Sequence, residues 1–149
     1  MTLKLKAVSP KVGTDIPFPS RATAGSAGLD LRACLDEPLT IAPRQLVCIP
    51  TGVAIALPGP EYVALVFARS GLGIKHGISL SNGVGVIDSD YRGEIMVGLT
   101  NLSHVPYTIH PGDRIAQLVV TPVVLPELER VEALDETGRG TGGFGSTGQ

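Results

Sequence analysis

The stretch RQLVCIPTGVAIAL, residues 44–57, decides how the rest of the chain is read. It is rich in β-branched residues and lacks the 3.6-residue apolar period of an amphipathic helix, so it reads as a strand. Apolar side chains on both of its faces imply a sheet buried against another sheet or against a neighbouring subunit. The same reading extends to EYVALVFA (61–68), GEIMVGLTN (93–101) and RIAQLVVTPVV (114–124), and residues 3–8 alternate polar and apolar like a further strand. Turn chemistry separates these runs at Pro58-Gly59-Pro60, Asn82-Gly83, Asp88-Ser89-Asp90 and Pro111-Gly112-Asp113. Helical periodicity is confined to residues 70–77 and 127–134, each enough for a turn or two. The expected fold is an all-β sandwich or barrel without βαβ units.

With 149 residues, the chain suits a single domain that buries its own core. Its 43% hydrophobic and 17% charged residues exclude a disordered polyelectrolyte, and 19 Gly and 12 Pro call for many tight turns. No run reaches the roughly eighteen apolar residues of a membrane span, and residues 1–20 carry lysines and prolines where a signal core would be apolar. A cytoplasmic location with no membrane partner is expected. A net charge of −2 lacks the basic excess of a nucleic-acid surface, so no nucleic-acid partner is expected and any polyanion is a small one met by a few placed charges. Cys34 and Cys48 have neither redox nor zinc spacing and read as small buried hydrophobes. His76, His104 and His110 are isolated and receive no role.

Three segments carry chemistry. The first, RGTGGFGSTG (139–148), puts Arg139 and Phe144 in a run too rich in glycine to order itself. Its glycine spacing matches a Walker A loop, but Ser146 replaces the lysine and no strand and helix flank it, so it is not a P-loop. Arg139 offers a charge to phosphate and Phe144 a face to a nucleobase; the competing reading is a solvated tail. The second is ARSGLG (68–73), where a strand gives way to an arginine, a hydroxyl and two glycines, a corner suited to phosphate or to a plain helix cap. The third, residues 82–93, reads as a hairpin-like segment in which Asp88 follows strand residues and is expected to be partly buried, able to deprotonate a water or merely to close an Asx-turn. Asp30 stands alone in an apolar run, and Arg114 and Gln117 open another strand; a structural Asp–Arg pair accounts for the two charges.

In this order, AGSAGLDL (24–31), ARSGLGIKHG (68–77), NGVGVIDSDYRGEI (82–95), GDRIAQL (112–118) and RGTGGFGSTG (139–148) resemble the five motifs of the trimeric deoxyuridine triphosphatases. The resemblance spans nearly the whole chain. It implies a distorted jelly-roll-like β fold over residues 1–124, a connector over 125–138 and a flexible glycine-rich lid over 139–149. It also implies a homotrimer that exchanges this C-terminal arm between subunits, and hydrolysis of dUTP to dUMP and pyrophosphate with Mg²⁺ held mainly by substrate phosphates and water.

Residue by residue, the resemblance gives Asp88 the role of general base and Arg69, Ser70 and Gly71 contact with phosphates. Asn82, Val86, Ile87, Asp88 and Met96 match the pocket for uracil and deoxyribose, with Tyr91 beneath the sugar. Gln117 helps place phosphates or water, Arg139 meets the γ-phosphate, Gly145 and the other tail amides meet the phosphates, and Phe144 stacks on uracil. Asp30 and Arg114 act as supports. Two rivals remain: a dCTP deaminase-like enzyme, disfavoured by Gly98 at the position of that branch's acid–base glutamate, and a non-catalytic β-trimer that captures nucleotides or proteins.

Overall fold

The structure, a computed structural model, describes residues 1–143. Ten strands and one short helix follow in the order β1 (Lys4–Ala7), β2 (Leu29–Arg32), β3 (Leu39–Ile41), β4 (Leu46–Ala56), β5 (Tyr62–Phe67), α1 (Ser70–His76), β6 (Ile78–Leu80), β7 (Gly85–Ile87), β8 (Glu94–Asn101), β9 (Tyr107–Ile109) and β10 (Arg114–Pro122). They form two four-stranded sheets, ordered β1-β4-β8-β6 and β2-β10-β5-β7, and a small β3-β9 pair. One core serves both large sheets: Ile49, Val53, Val97 and Leu99 of the first pack in the same buried cluster as Leu31, Ala64, Val66 and Leu118 of the second. Sharing a core in this way makes the domain a β-sandwich. The strand read from residues 44–57 is the spine of the first sheet, flanked by β1 and β8.

From β4 to β8 the chain changes sheet at every step. That path corrects the reading of residues 82–93 as hairpin-like. β7 pairs antiparallel with β5 in the second sheet, while β8 pairs with β4 and β6 in the first. The segment between them therefore crosses the open side of the sandwich. Two further expectations fail. Residues 127–134 form no helix and are exposed throughout; a helix this short, with Pro126 before it and no surface to bury its leucines, has nothing to hold it. Cys48 is exposed and Cys34 only partly buried, because Cys48 lies on the outward face of β4, opposite buried Ile49. Among the described residues, no helix is long and apolar enough to cross a membrane.

Candidate active site

The crossing from β7 to β8 encloses a cavity of about 240 Å³. Asn82, Val86, Ile87, Asp88, Tyr91 and Met96 line it, together with Glu94 and Gly98. The strands explain why these side chains converge. Among the described residues β7 is the last strand of its sheet, so one edge of its backbone has no strand partner there and can face a ligand. On β8, alternation buries Ile95, Val97 and Leu99 and turns Glu94, Met96 and Gly98 outward to form the opposite wall. Tyr91 is locked across the mouth by its hydroxyl, which donates to the Glu94 carbonyl at 2.9 Å. Asp88 accepts from the Tyr91 amide through its own carbonyl at 3.2 Å, closing the turn. Its carboxylate is exposed, contrary to the partial burial expected from sequence; β7 ends at Ile87, so Asp88 lies beyond the paired part of the strand. The volume falls below the ~300–1,000 Å³ of sites that enclose a whole ligand.

A second cluster lies where β2 and β5 flank β10. Asp30 of β2 binds two guanidinium groups, Arg69 Nε at 3.0 Å and Arg114 Nη1 at 3.2 Å. Its carboxylate is largely buried, and each of its oxygens takes one arginine, so Asp30 fixes both cations in place. Sequence reading paired Asp30 with Arg114; its hold on Arg69 was not foreseen. Gln117, opposite Asp30 and Phe67 in the register, donates from its amide to the Ala68 carbonyl at 3.0 Å. Gly28 permits this, since a Cβ there would lie 2.8 Å from the Gln117 side-chain oxygen. Arg69 also caps α1, with the Leu72 and Gly73 amides donating to its carbonyl, and leaves Ser70 and Gly71 exposed at the first turn.

Arg69, Gly71 and Arg114 border a depression of about 330 Å³ that also includes Lys75, His76, Tyr107 and Asp113. Sequence reading gave no role to Lys75, His76 or Tyr107. The rings of His76 and Tyr107 lie 4.7 Å apart, and burial, aided by the Asp113 charge, holds the Tyr107 phenol above its ordinary pKa. No local pattern marks Lys75 for this place, since Arg69 lies before the first turn of α1 in extended backbone, and Tyr107 arrives from a distant strand. The two depressions share no lining residue.

The segment after β10 joins neither. Val123 extends the sheet by one hydrogen bond, its amide donating to the Glu61 carbonyl at 2.9 Å. Residues 124–141 are exposed, including Leu125, Leu128 and Leu134. Arg139 is exposed as well, turned back on its own backbone through Nε to the Gly142 carbonyl at 2.9 Å. Phe144 and Gly145 lie outside the described residues. Among the described residues, no group of three or more His, Cys, Asp or Glu side chains is arranged to hold a metal ion.

Comparison with known proteins bears directly on this geometry. The dUTPase family model matches residues 14–148. The chain belongs to the dUTPase family. It is 54% identical over 147 residues to the deoxyuridine 5'-triphosphate nucleotidohydrolase of Idiomarina loihiensis, covering 99% of this chain and 97% of the relative. It is 52% identical over 149 residues to that of Acinetobacter baumannii, covering 100% and 99%. A mutant dUTPase of Staphylococcus bacteriophage 80alpha, solved with dUpNHpp, superimposes with a TM-score of 0.86 at 28% identity over 99% of both chains. A mutant dUTPase from phage phi11 of S. aureus, described with a coordinated structural Mg(II) ion, gives a TM-score of 0.78 at 26% identity over 91% of this chain and 100% of that one. The described architecture is the all-β sandwich of these dUTPases.

Proposed function

We propose that this chain hydrolyses dUTP to dUMP and pyrophosphate, in a homotrimer whose sites each combine the β7–β8 cavity of one subunit with the Arg69 cluster of another and the C-terminal arm. In the cytoplasm, this activity would supply dUMP for thymidylate synthesis and keep uracil out of DNA. The observation that carries it is the convergence of Asn82, the open backbone edge of β7, Asp88, Tyr91 and Met96 on one cavity. A strand edge presents donors and acceptors at fixed spacing, so it can match the polar edge of uracil. Cytosine exchanges an acceptor for a donor there and leaves buried partners unpaired, a mismatch that costs far more than a missing methylene. The Tyr91 ring, fixed by Glu94, packs under the deoxyribose and leaves no space for a 2′-hydroxyl.

Asp88 sits at the end of that strand edge, exposed and able to accept a proton from water. The water oxygen bonds to the α-phosphorus, its proton passes to Asp88, and the bridging oxygen leaves with pyrophosphate. Arg69, Ser70, Gly71 and Gln117 hold the phosphates, with Asp30 keeping Arg69 and Arg114 from swinging away. A Mg²⁺ held mainly by phosphate oxygens and water would neutralise the triphosphate charge. Residues 125–138 are the connector and 139–149 the lid. Arg139 reaches the γ-phosphate, Gly145 gives an amide to the phosphates and Phe144 covers the base.

Two observations support the shared site: the separate depressions within one chain, and the exposed leucines of the connector, which need a surface to bury them. The test is pyrophosphate release from dUTP with Mg²⁺. Release from dUTP with neither pyrophosphate nor ammonia from dCTP is the expected result; ammonia from dCTP would install the deaminase reading, and inert dUTP the binding-module reading.

A further inference from the structure

We infer that Ser81 and Gly98 act as a pair beside the β7–β8 cavity: Gly98, which lines it, makes room for the Ser81 side chain, and the Ser81 hydroxyl, which sits against that lining rather than in it, is an additional hydrogen-bonding group for the polar edge of the base. The inference rests on the proposed binding of a pyrimidine nucleotide in that cavity. The register of β6 and β8 pairs Leu80 with Leu99, so Ser81 falls opposite Gly98. Their backbones continue the ladder, the Ser81 amide donating to the Gly98 carbonyl at 3.0 Å. Opposed residues of an antiparallel pair point to the same face, here the outward face of β8 that carries Glu94 and Met96.

Gly98 lines the cavity, and a Cβ built on it would collide with the Ser81 Oγ. The hydroxyl therefore occupies the space that a side chain at position 98 would fill. Ser81 is exposed and adjoins Asn82, which lines the same cavity. A serine hydroxyl both donates and accepts, so it can serve a carbonyl or a ring N–H, directly or through one water. Gly98 is a positioning residue in this scheme; Ser81 is the one that touches ligand.

Steady-state kinetics with dUTP separates the roles. The base contact is remote from the α-phosphorus and is made equally in ground and transition states, so Ser81→Ala should raise KM about three- to tenfold with kcat unchanged. Gly98→Ala should raise KM by at least about tenfold, because the added methyl takes the place of the hydroxyl and forces it out toward the base. The double variant Ser81→Gly with Gly98→Ala should recover most of that loss, returning to the level of Ser81→Ala, with melting temperatures of all variants close to wild type. Unchanged KM in Ser81→Ala would overturn the base contact, and a double variant no better than Gly98→Ala would overturn the pairing. Both outcomes are read against a wild type that releases pyrophosphate from dUTP, so they stand apart from failure of the functional reading itself.

Discussion

In the function proposed above, the β7–β8 cavity and the C-terminal arm hold one ligand in opposite ways. The cavity borrows its shape from the core: its walls combine exposed residues such as Val86 and Met96 with Ile87, Ile95 and Val97, which are buried in the sandwich. Among the described residues the arm borrows nothing from its own chain, since residues 124–141 are exposed and the Arg139 side chain bonds to the neighbouring Gly142 carbonyl. The contrast separates selection from closure. A rigid strand edge can discriminate between bases because it cannot yield, whereas a segment with no fold of its own can enclose a charged ligand and then release it.

Substitutions can break this division at each end. The largest effect belongs to Asp88→Asn, which should lower kcat for dUTP by about two to four orders of magnitude while nucleotide binding and melting temperature hold. Removal of residues 138–149 should follow, costing roughly a hundredfold in kcat/KM and nothing in melting temperature, because that segment contributes no buried contact among the described residues. A fall in melting temperature on truncation would show that the arm is part of the folded core after all.

Asp30→Ala is intermediate, touching stability and binding together. It leaves Arg69 and Arg114 without their shared partner, so unfolding in urea should show a loss of about 1–3 kcal/mol and KM for dUTP should rise. The smallest effect lies in the scaffold. Arg44 holds a left-handed backbone at φ 63°, and Arg44→Gly should relieve it for a gain on the order of 0.5 kcal/mol in the urea transition, with kcat unchanged.

Much of this molecule is legible in its sequence, and the illegible parts share a cause. β4, β5, β8 and β10 are long enough for their β-branched composition to declare them. β3, β6, β7 and β9 have three residues each, too few to show any period, and exist because neighbours pair with them. Missing β7 as a strand of the other sheet turned a crossing into a hairpin-like segment. Cys48 misled for a related reason, since an apolar run says that a strand is covered without saying which face its own chain covers. Around the site, Lys75 and His76 border the same depression as Tyr107, whose ring lies against that of His76, a proximity no local pattern encodes. The hold of Asp30 on Arg69 likewise depends on β2 and β5 flanking β10.

The central claim is that no single chain contains a complete site, and mixing two inactive proteins tests it. Asp88→Asn subunits and subunits lacking residues 138–149 are unfolded together, refolded as a mixture and assayed for pyrophosphate release from dUTP. Sites that take Asp88 from one subunit and the arm from another should restore about a quarter of wild-type activity in a random equimolar mixture. Activity no greater than that of the two variants refolded separately would mean that each chain closes over its own cavity, and the shared-site account would be wrong.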